Sequence, residues 1–349
     1  MKNKKALLVT LLALVMGVFI VSIQQTQPET VFAASTRTVK DNNGKKVKIP
    51  KKVKRVADLW HANNPILLMV GGEDKLVATT KLTHDNKLLT KLYPSVKKSA
   101  VPFNSDSVNT EELLAQKPDV VISADKAETE TIRKTGVPVV NSMFQNFSGL
   151  QKTVTLTGKI VGGKANKQAK AYNSQLEDDL YEVKNRTKGA GVPSVLHIVN
   201  KNDLTKVDGR KTIVDQWIKT AGGKNAIKTK GNMIDVSAEE IIKANPDIII
   251  VGNTTSKKAL KALKKDSRFK SLKAVKNKKV YGNPTGIFQW DRYSAEEDLQ
   301  LWWAAKKIHP EEMKDVNLTN KVKNFYQAFY DHKFTTKQVH KILKGEIIK

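Results

Sequence analysis

Two stretches of the chain are near-copies of each other and align without a gap. Residues 109–122 read Asn-Thr-Glu-Glu-Leu-Leu-Ala-Gln-Lys-Pro-Asp-Val-Val-Ile, and residues 237–250 read Ser-Ala-Glu-Glu-Ile-Ile-Lys-Ala-Asn-Pro-Asp-Ile-Ile-Ile. Because similar sequences fold alike, we expect two lobes of one design, with one copy in each. The natural place for a ligand in such a molecule is the cleft between the lobes.

Each copy has the sequence pattern of a helix, a turn and a buried strand. Asn109 or Ser237 can cap a helix whose first turn holds two glutamates, which the positive end of the helix dipole favours. Pro118 or Pro246 then ends the helix, because proline cannot continue it. The β-branched run that follows is typical of a buried parallel strand.

Strand and helix patterns alternate on both sides of a long helical segment. That segment has its apolar residues mostly three and four positions apart, with Gly162-Gly163 as an interruption: Leu156, Ile160, Ala169, Tyr172, Leu176, Leu180 and Val183. We therefore predict an α/β protein with two Rossmann-like lobes, mainly parallel sheets and a long connecting α-helix. The predicted parts are an N-terminal lobe over residues 35–148, the helix over 149–190, and a C-terminal lobe with terminal helices over 191–349.

Composition excludes several classes of protein. The chain has 349 residues, with 40% hydrophobic and 27% charged, which is ordinary for a globular protein. It has no cysteine, so disulfides, thiolate metal sites and lipid attachment through cysteine are excluded. The formal charge of +27 comes from scattered lysines without a basic stripe. That pattern argues against nucleic acid as a partner and favours an anionic membrane or wall surface.

The first 34 residues are predicted to direct export. Three lysines precede an apolar run from Ala6 to Ile23, and Val31-Phe-Ala33 offers small residues for cleavage after Ala33. The run is close to membrane-spanning length, so an uncleaved N-terminal membrane anchor remains the alternative.

The chain resembles the substrate-binding proteins of ABC importers for iron–siderophore complexes, haem and cobalamin. The motifs that carry the resemblance are the two Glu-x6-Pro-Asp blocks, Gly136-Val-Pro-Val-Val140, Ala221-Gly-Gly-Lys-Asn225, and Trp290-Asp-Arg292 with the helices after it. The similarity extends from about Val39 to Leu343. It implies two lobes joined by one long helix, no intrinsic cofactor, and an ABC importer permease as partner. It also implies that Glu111 and Glu239 dock onto arginine pockets of that permease.

The resemblance leaves the tether and the ligand open. Relatives in organisms with a single membrane are usually held by a lipidated cysteine, which this chain lacks. The cleft loops vary most within the family, so the identity of the ligand does not carry over.

Candidate ligand-binding residues lie in the loops that follow predicted strands, where α/β sheets bind ligands. Trp60, His61 and Asn63 follow the first strand, and an aromatic ring beside an imidazole suits a flat chelate or an open metal position. Lys81 can meet an anionic chelate, and Met143 and Phe144 follow another strand end. The alternatives are plain packing for the apolar side chains and solvated loop positions for His61 and Lys81.

In the second lobe the candidates are Arg210, Phe288, Trp290 and Arg292. Arginine presents a planar donor fork for carboxylate, catecholate or phosphate groups, whereas a surface ion pair is the alternative for Arg210. Trp290 and Arg292 together offer a stacking face and a charge after the last predicted strand.

The leading functional hypothesis is an exported, monomeric binding protein for an iron complex, haem or a corrinoid. No set of His, Asp and Glu has the spacing of a cage for a bare metal ion. A nickel or cobalt complex remains an alternative ligand. A secreted α/β enzyme is disfavoured because the chain has no dinucleotide fingerprint, P-loop, nucleophile elbow or His-Glu-x-x-His motif. A surface adhesion protein would not explain the paired glutamate blocks.

Overall fold

The computed structural model describes residues 35–348. The predicted export signal or anchor, residues 1–34, lies outside the described residues. Within residues 35–348, no helix is both long and apolar enough to cross a membrane.

The N-terminal lobe is built on a four-stranded parallel sheet in the order β4-β3-β7-β8. A hairpin of β1 and β2 precedes the sheet in the chain. A second hairpin, formed by the two-residue strands β5 and β6, lies between β4 and β7 in the chain. Strand β7 is buried along its whole length. The strands are β1 Thr36–Lys40, β2 Lys46–Pro50, β3 Val56–Asp58, β4 Leu76–Ala78, β5 Phe103–Asn104, β6 Ser107–Val108, β7 Val120–Ser123 and β8 Val139–Asn141.

Six helices cover this lobe. Five of the six begin at an Asn, Asp or Thr whose side chain accepts a hydrogen bond from the backbone N–H three residues on. One of these five is the long last helix, which begins at Asn146. The helices are α1 Asn64–Met69, α2 Lys81–His84, α3 Lys87–Leu92, α4 Thr110–Ala115, α5 Lys126–Arg133 and α6 Phe147–Val161.

The connection between the lobes contains two helices. Helix α6 belongs to the N-terminal lobe, where it packs against α1 and β1, and α7, Ala165–Arg186, continues towards the second lobe. Gly162 (φ +77°) and Gly163 (φ +58°) separate them in a left-handed backbone conformation that only glycine adopts easily. The predicted single helix over 149–190 is therefore corrected to a helix pair. The 22 residues of α7 span about 33 Å.

The C-terminal lobe has a six-stranded mixed sheet in the order β12-β10-β9-β13-β14, with β11 paired to β9. Strands β9, β13 and β14 are parallel, while β10 runs antiparallel to both of its neighbours. The strands are β9 Ser194–Asn200, β10 Asp203–Val207, β11 Lys224–Asn225, β12 Ile234–Asp235, β13 Ile248–Val251 and β14 Val280–Gly282.

The last helices of the chain tie the two lobes together. Helix α12 packs against α7 and α8, and α13 reaches back to α1 of the first lobe, where Tyr330 Oη donates to the carbonyl of Pro65 at 3.3 Å. The helices are α8 Ile213–Thr220, α9 Ala238–Ala244, α10 Ser256–Lys265, α11 Lys273–Lys276, α12 Glu297–Ile308, α13 Leu318–Tyr330 and α14 Thr336–Leu343.

The two sequence copies form equivalent units, α4–β7 and α9–β13. Asn109 and Ser237 cap their helices by accepting from the backbone N–H three residues on. Lys117 and Asn245, which stand directly before the prolines, both have positive φ, 45° and 38°. The predicted α/β class with two related lobes is confirmed.

Candidate ligand-binding cleft

A cavity of about 790 Å³ lies between the lobes. The first lobe contributes the start of α3 and the turn before it, and the second contributes the loops after β9, β13 and β14. These are strand-end loops, the positions at which α/β sheets bind ligands. The lining residues are Leu82, Asp85, Asn86, Lys87, Leu88, Lys201, Asn253, Thr254, Thr255, Lys258, Thr285, Gly286, Ile287, Phe288, Gln289, Gly345, Glu346, Ile347 and Ile348.

Lysines outnumber carboxylates on the cavity wall. Lys87, Lys201 and Lys258 line it, together with Asp85 and Glu346. Asp85 is already paired with Lys81 at 2.7 Å, and that hydrogen bond lowers the pKa of Asp85 to about 2. The remaining charges leave the wall cationic, which suits an anionic ligand.

The segment after α14 forms one wall of the cavity. Gly345 has φ +69°, and a Cβ there would lie 2.5 Å from the carbonyl oxygen of Thr254 and 2.6 Å from that of Asn283. Only glycine lets this segment approach the loops after β13 and β14 so closely. Sequence reasoning missed this wall, although a glycine directly after an amphipathic helix was a usable signal.

An aromatic cluster joins the two lobes, although none of its rings lines the cavity. The ring centroids of Trp60 and Phe144 are 5.6 Å apart, and each lies within 6 Å of the ring of Tyr293 in the second lobe. Tyr293 Oη donates to Gln145 Oε1 across the cleft at 3.1 Å. The structure thus brings together two predicted site residues, Trp60 and Phe144, and adds Tyr293, which the sequence analysis did not single out. All three rings are at most 6% exposed.

His61 and Phe288 face each other across the cleft with ring centroids 5.6 Å apart. The His61 side chain is open to solvent although protein surrounds it on most sides. That desolvation, with the charge of Arg292 as a smaller cause, lowers the pKa of His61. His61 is therefore a neutral imidazole near pH 7, the form that can coordinate a metal ion.

Arg292 belongs to a buried charge network of the second lobe. Its Nη2 donates to Asp208 Oδ2 at 3.3 Å. His197 lies between Asp208 and Asp291, with each ring nitrogen 2.8 Å from a carboxylate oxygen. Burial opposes a charge on His197, yet hydrogen bonds to both carboxylates outweigh it and raise its pKa. Because both nitrogens face acceptors, His197 is an imidazolium that holds Asp208, and through it Arg292, in place.

Two predictions of ligand contact, at Trp290 and Asn63, are wrong because both side chains are buried and hydrogen-bonded to carboxyl groups of the protein. Trp290 is 0% exposed, and its Nε1 donates to Glu296 Oε1 at 3.3 Å. Asn63 is also 0% exposed, and its Nδ2 donates to Asp58 Oδ2 at 2.8 Å. Burial raises the pKa of Asp58 to about 8, which keeps this carboxyl neutral. Neither side chain reaches the cavity.

Of the ten predicted ligand contacts, only Phe288 is among the residues that line the cavity. Lys81 is exposed and paired with Asp85, as described above. Met143 is half-buried against the core, and Arg210 is exposed in a loop whose backbone pairs with Thr229.

Glu111 and Glu239 lie outside the cleft. Both are exposed in the first turn of equivalent helices. Three residues further on, each helix exposes a large apolar side chain, Leu114 at 40% and Ile242 at 43%. The two lobes therefore present the same pair, a carboxylate beside an aliphatic group.

Residues 56–285 match the family model described as periplasmic binding protein. The chain belongs to that family. The match confirms the resemblance on which the sequence analysis relied, and it spans the paired Glu-x6-Pro-Asp blocks of both lobes. As a member of this family, the protein is a substrate-binding component of the ABC-transporter type.

Three relatives match this chain, and two of them are named for their ligands. The chain is 26% identical over 253 residues to an uncharacterized ABC transporter substrate-binding lipoprotein, YvrC, of Bacillus subtilis, covering 70% of this chain and 77% of that one. It is 27% identical over 333 residues to the molybdate-binding protein MolA of Haemophilus influenzae, covering 85% of this chain and 92% of MolA. It is 32% identical over 145 residues to the haem uptake protein IsdE of Staphylococcus aureus, covering 40% of this chain and 49% of IsdE.

A solved structure agrees with the fold. A periplasmic solute-binding protein of Veillonella parvula superposes with a TM-score of 0.76 and 30% identity, over 89% of this chain and 97% of that one. Among residues 35–348, no group of three or more His, Asp or Glu side chains is placed to hold a metal ion.

Proposed function

We propose that the protein is an exported binding protein that captures an iron complex, a siderophore chelate or haem, or a corrinoid, and delivers it to an ABC importer permease. The observation that carries the proposal is the interlobe cavity of about 790 Å³. Its size falls within the range of small-molecule sites, about 300–1,000 Å³. The protein binds and releases this ligand without catalysing a reaction.

The charges at the cavity favour an anionic ligand. Lys87, Lys201 and Lys258 come from both lobes and line one space. Ferric siderophore complexes and the propionates of haem are anionic, so closing the lobes around them brings opposite charges together. A corrinoid depends less on these lysines and more on the apolar wall.

The aromatic side chains supply the rest of the contact area. Phe288 lines the cavity, and His61 stacks beside it as a neutral imidazole. A neutral histidine can complete the coordination of a chelated metal that has an open position. His61 is therefore the proposed metal-facing residue, and Phe288 the proposed stacking residue. Arg292 adds positive charge near His61.

The second candidate ligand is a small oxyanion. MolA, 27% identical over 92% of its length, is named as molybdate-binding. An oxyanion would bind to the lysines of the cavity and would leave its apolar wall unused. Nickel and cobalt complexes form a third group to be tested.

Permease docking is proposed for the two equivalent helices α4 and α9. Glu111 with Leu114 and Glu239 with Ile242 form matching exposed pairs. Two related sites on a permease can engage both pairs at once, so that the contacts reinforce each other.

A ligand titration tests the proposal. Purified protein lacking residues 1–34 is titrated with haemin, a ferric catecholate chelate, cyanocobalamin, nickel–histidine and sodium molybdate, and tryptophan fluorescence reports binding because Trp60 lies beside the cleft. Lys87→Ala/Lys258→Ala should weaken an anionic iron complex at least tenfold. The matched control, Lys261→Ala/Lys264→Ala, removes two exposed lysines of α10 that are outside the cavity. Molybdate alone as ligand would favour the second candidate. If none of the five compounds binds the folded protein, the proposal fails.

A further inference from the structure

A second pocket, far from the strand-end loops, is lined by cations alone among its charged residues. It has a volume of about 720 Å³ and lies where α6 ends and α7 begins. Within the described residues that line it, no carboxylate is present. The basic lining residues are Arg37, Lys51, Lys52, Lys75, Lys159 and Lys164.

Two of these cations are fixed by backbone carbonyls. Arg37 Nη2 donates to the carbonyls of Lys159 at 2.7 Å and Ile160 at 3.2 Å. Lys75 Nζ donates to the carbonyls of Val53 at 2.6 Å and Val161 at 3.0 Å. These bonds close the C-terminus of α6 onto the loop before β3. They hold the charges in place without neutralising them, because a carbonyl carries only a partial charge.

The electrostatics at Lys75 show that the positive charge is incompletely balanced. Burial lowers the pKa of Lys75, and the nearby charges of Lys52 and Arg37 lower it further. Asp119 is the acidic group that acts in the other direction. Its Oδ2 already accepts hydrogen bonds from the backbone N–H groups of Lys54 and Arg55. A bound anion would relieve the remaining repulsion among the cations.

The start of α7 adds to this field. Ala165 and Asn166, the first two residues of α7, line the pocket, and the N-cap residue Lys164 makes no side-chain capping hydrogen bond. The N-terminus of this 22-residue helix carries partial positive charge, although the N–H groups of Ala165 and Lys167 already donate to the carbonyls of Gly162 and Lys164. The glycine pair before it has nothing within 4 Å of its Cβ positions, so the pocket mouth is open.

We propose that this basic pocket at the α6–α7 junction binds phosphate groups. The two fixed cations, the exposed lysines around them and the positive end of a helix dipole together match the chemistry of phosphate recognition. The phosphate can belong to a soluble ion or to the headgroup of an anionic lipid. The pocket and its residues are separate from the interlobe cavity, so the inference does not depend on the ligand proposed above.

Charge reversal at the exposed rim tests this site. The variant is Lys52→Glu/Lys159→Glu/Lys164→Glu, and the control is Lys257→Glu/Lys261→Glu/Lys264→Glu on α10, which changes the net charge equally. All six lysines are exposed, so both proteins should fold, and thermal melting checks this. Calorimetric titration with pyrophosphate at constant ionic strength measures the soluble form. Co-sedimentation with phosphatidylglycerol vesicles, against phosphatidylcholine vesicles, measures the lipid form.

The expected result is at least tenfold weaker binding in the pocket variant and less than a twofold change in the control. Loss confined to pyrophosphate assigns a soluble phosphate, and loss confined to anionic vesicles assigns a lipid headgroup. Equal loss in both variants would show that net charge alone is responsible, and this would overturn the proposal. Absence of binding in both assays would overturn it too.

Discussion

The buried network of His197, Asp208, Asp291 and Arg292 shows how single side chains position the cleft. Its formal charges balance, with an imidazolium and a guanidinium against two carboxylates. His197 and Asp208 are 0% exposed, so removing one charge leaves its partners without solvent to compensate them. The network fixes Arg292 from behind while the rest of its guanidinium stays near His61.

Replacing His197 should therefore destabilise the protein strongly. We expect His197→Ala to lower the free energy of unfolding by roughly 3–5 kcal/mol, the usual effect of breaking a buried ion pair. Urea denaturation monitored by circular dichroism measures it. His84→Ala, which removes a partner of the exposed Asp85, should change it by less than about 1 kcal/mol. Equal effects of the two substitutions would contradict this account.

The same network predicts the sign of a pH dependence. The pKa of His197 is raised in the folded protein, so its stabilisation is complete below the unfolded value of about 6.5 and is lost as pH rises through the folded value. The pKa of Asp208 is lowered, so its share is lost only as pH falls through that lowered value. The stability difference between wild type and His197→Gln should therefore shrink as the pH is raised above about 6.5. A constant difference up to pH 9 would refute the imidazolium assignment.

Substitutions of Trp290 and Phe288 should have different effects, the first mainly on stability and the second mainly on ligand binding. Its ring is fully buried and its Nε1 bonds to Glu296. Trp290→Ala should cost about 3–5 kcal/mol of stability, as large aromatic truncations in cores do. Phe288→Ala should instead weaken the ligand with a smaller loss of stability, since Phe288 lines the cavity. Denaturant titrations and ligand titrations on both variants distinguish them.

At the scale of elements, periodicity predicted most helices and strands but not their departures. Amphipathic spacing predicts helices over Leu318–Tyr330 and Thr336–Leu343, and these are the bounds of α13 and α14. A capping box at Thr335 also marks the start of α14. The sequence predicts a loop from the end of β9 to Arg210, but this segment contains β10, whose polar, alternating sequence gives only a weak strand signal. Trp290 was misplaced because its sequence position after a strand does not reveal the buried Glu296 that binds its indole.

The wall after α14 is an element-scale feature with its own test. Gly345→Ala introduces a Cβ against two carbonyl oxygens and should move residues 345–348 away from the cavity. Gly136→Ala is a matched control, because Gly136 also has positive φ, 84°, but nothing lies within 4 Å of its Cβ position. Both variants should lose about 1–2 kcal/mol from backbone strain. Only Gly345→Ala should also change ligand affinity, by more than threefold in titration; unchanged affinity would show that this wall does not contact the ligand.

At the scale of the whole molecule, the duplicated blocks give each lobe an equivalent exposed helix start, on α4 and on α9. The helix pair α6–α7 and the terminal helices connect the lobes, so closure is expected to be a small rocking motion. The sequence copies allowed this two-lobe arrangement to be predicted. The interlobe contacts of Tyr293 and the segment after α14 could not be, because they join residues far apart in the chain.

The docking proposal makes a prediction for the complete transport system. Glu111→Ala/Glu239→Ala should abolish uptake while ligand affinity stays within twofold of wild type, because both glutamates lie outside the cleft. Glu112→Ala/Glu240→Ala is the matched control on the same helices. If the double variant of Glu111 and Glu239 transports normally, these residues do not dock onto the permease and only stabilise the N-termini of their helices.

Native mass spectrometry of the protein purified from its own cells shows whether the interlobe cavity carries a ligand. We expect one metal complex per polypeptide, released on denaturation and absent from a Lys87→Ala/Lys258→Ala/Phe288→Ala variant. A polypeptide that carries no complex, and takes up none of the five test compounds when they are added, would contradict the claim that the interlobe cavity is a ligand site.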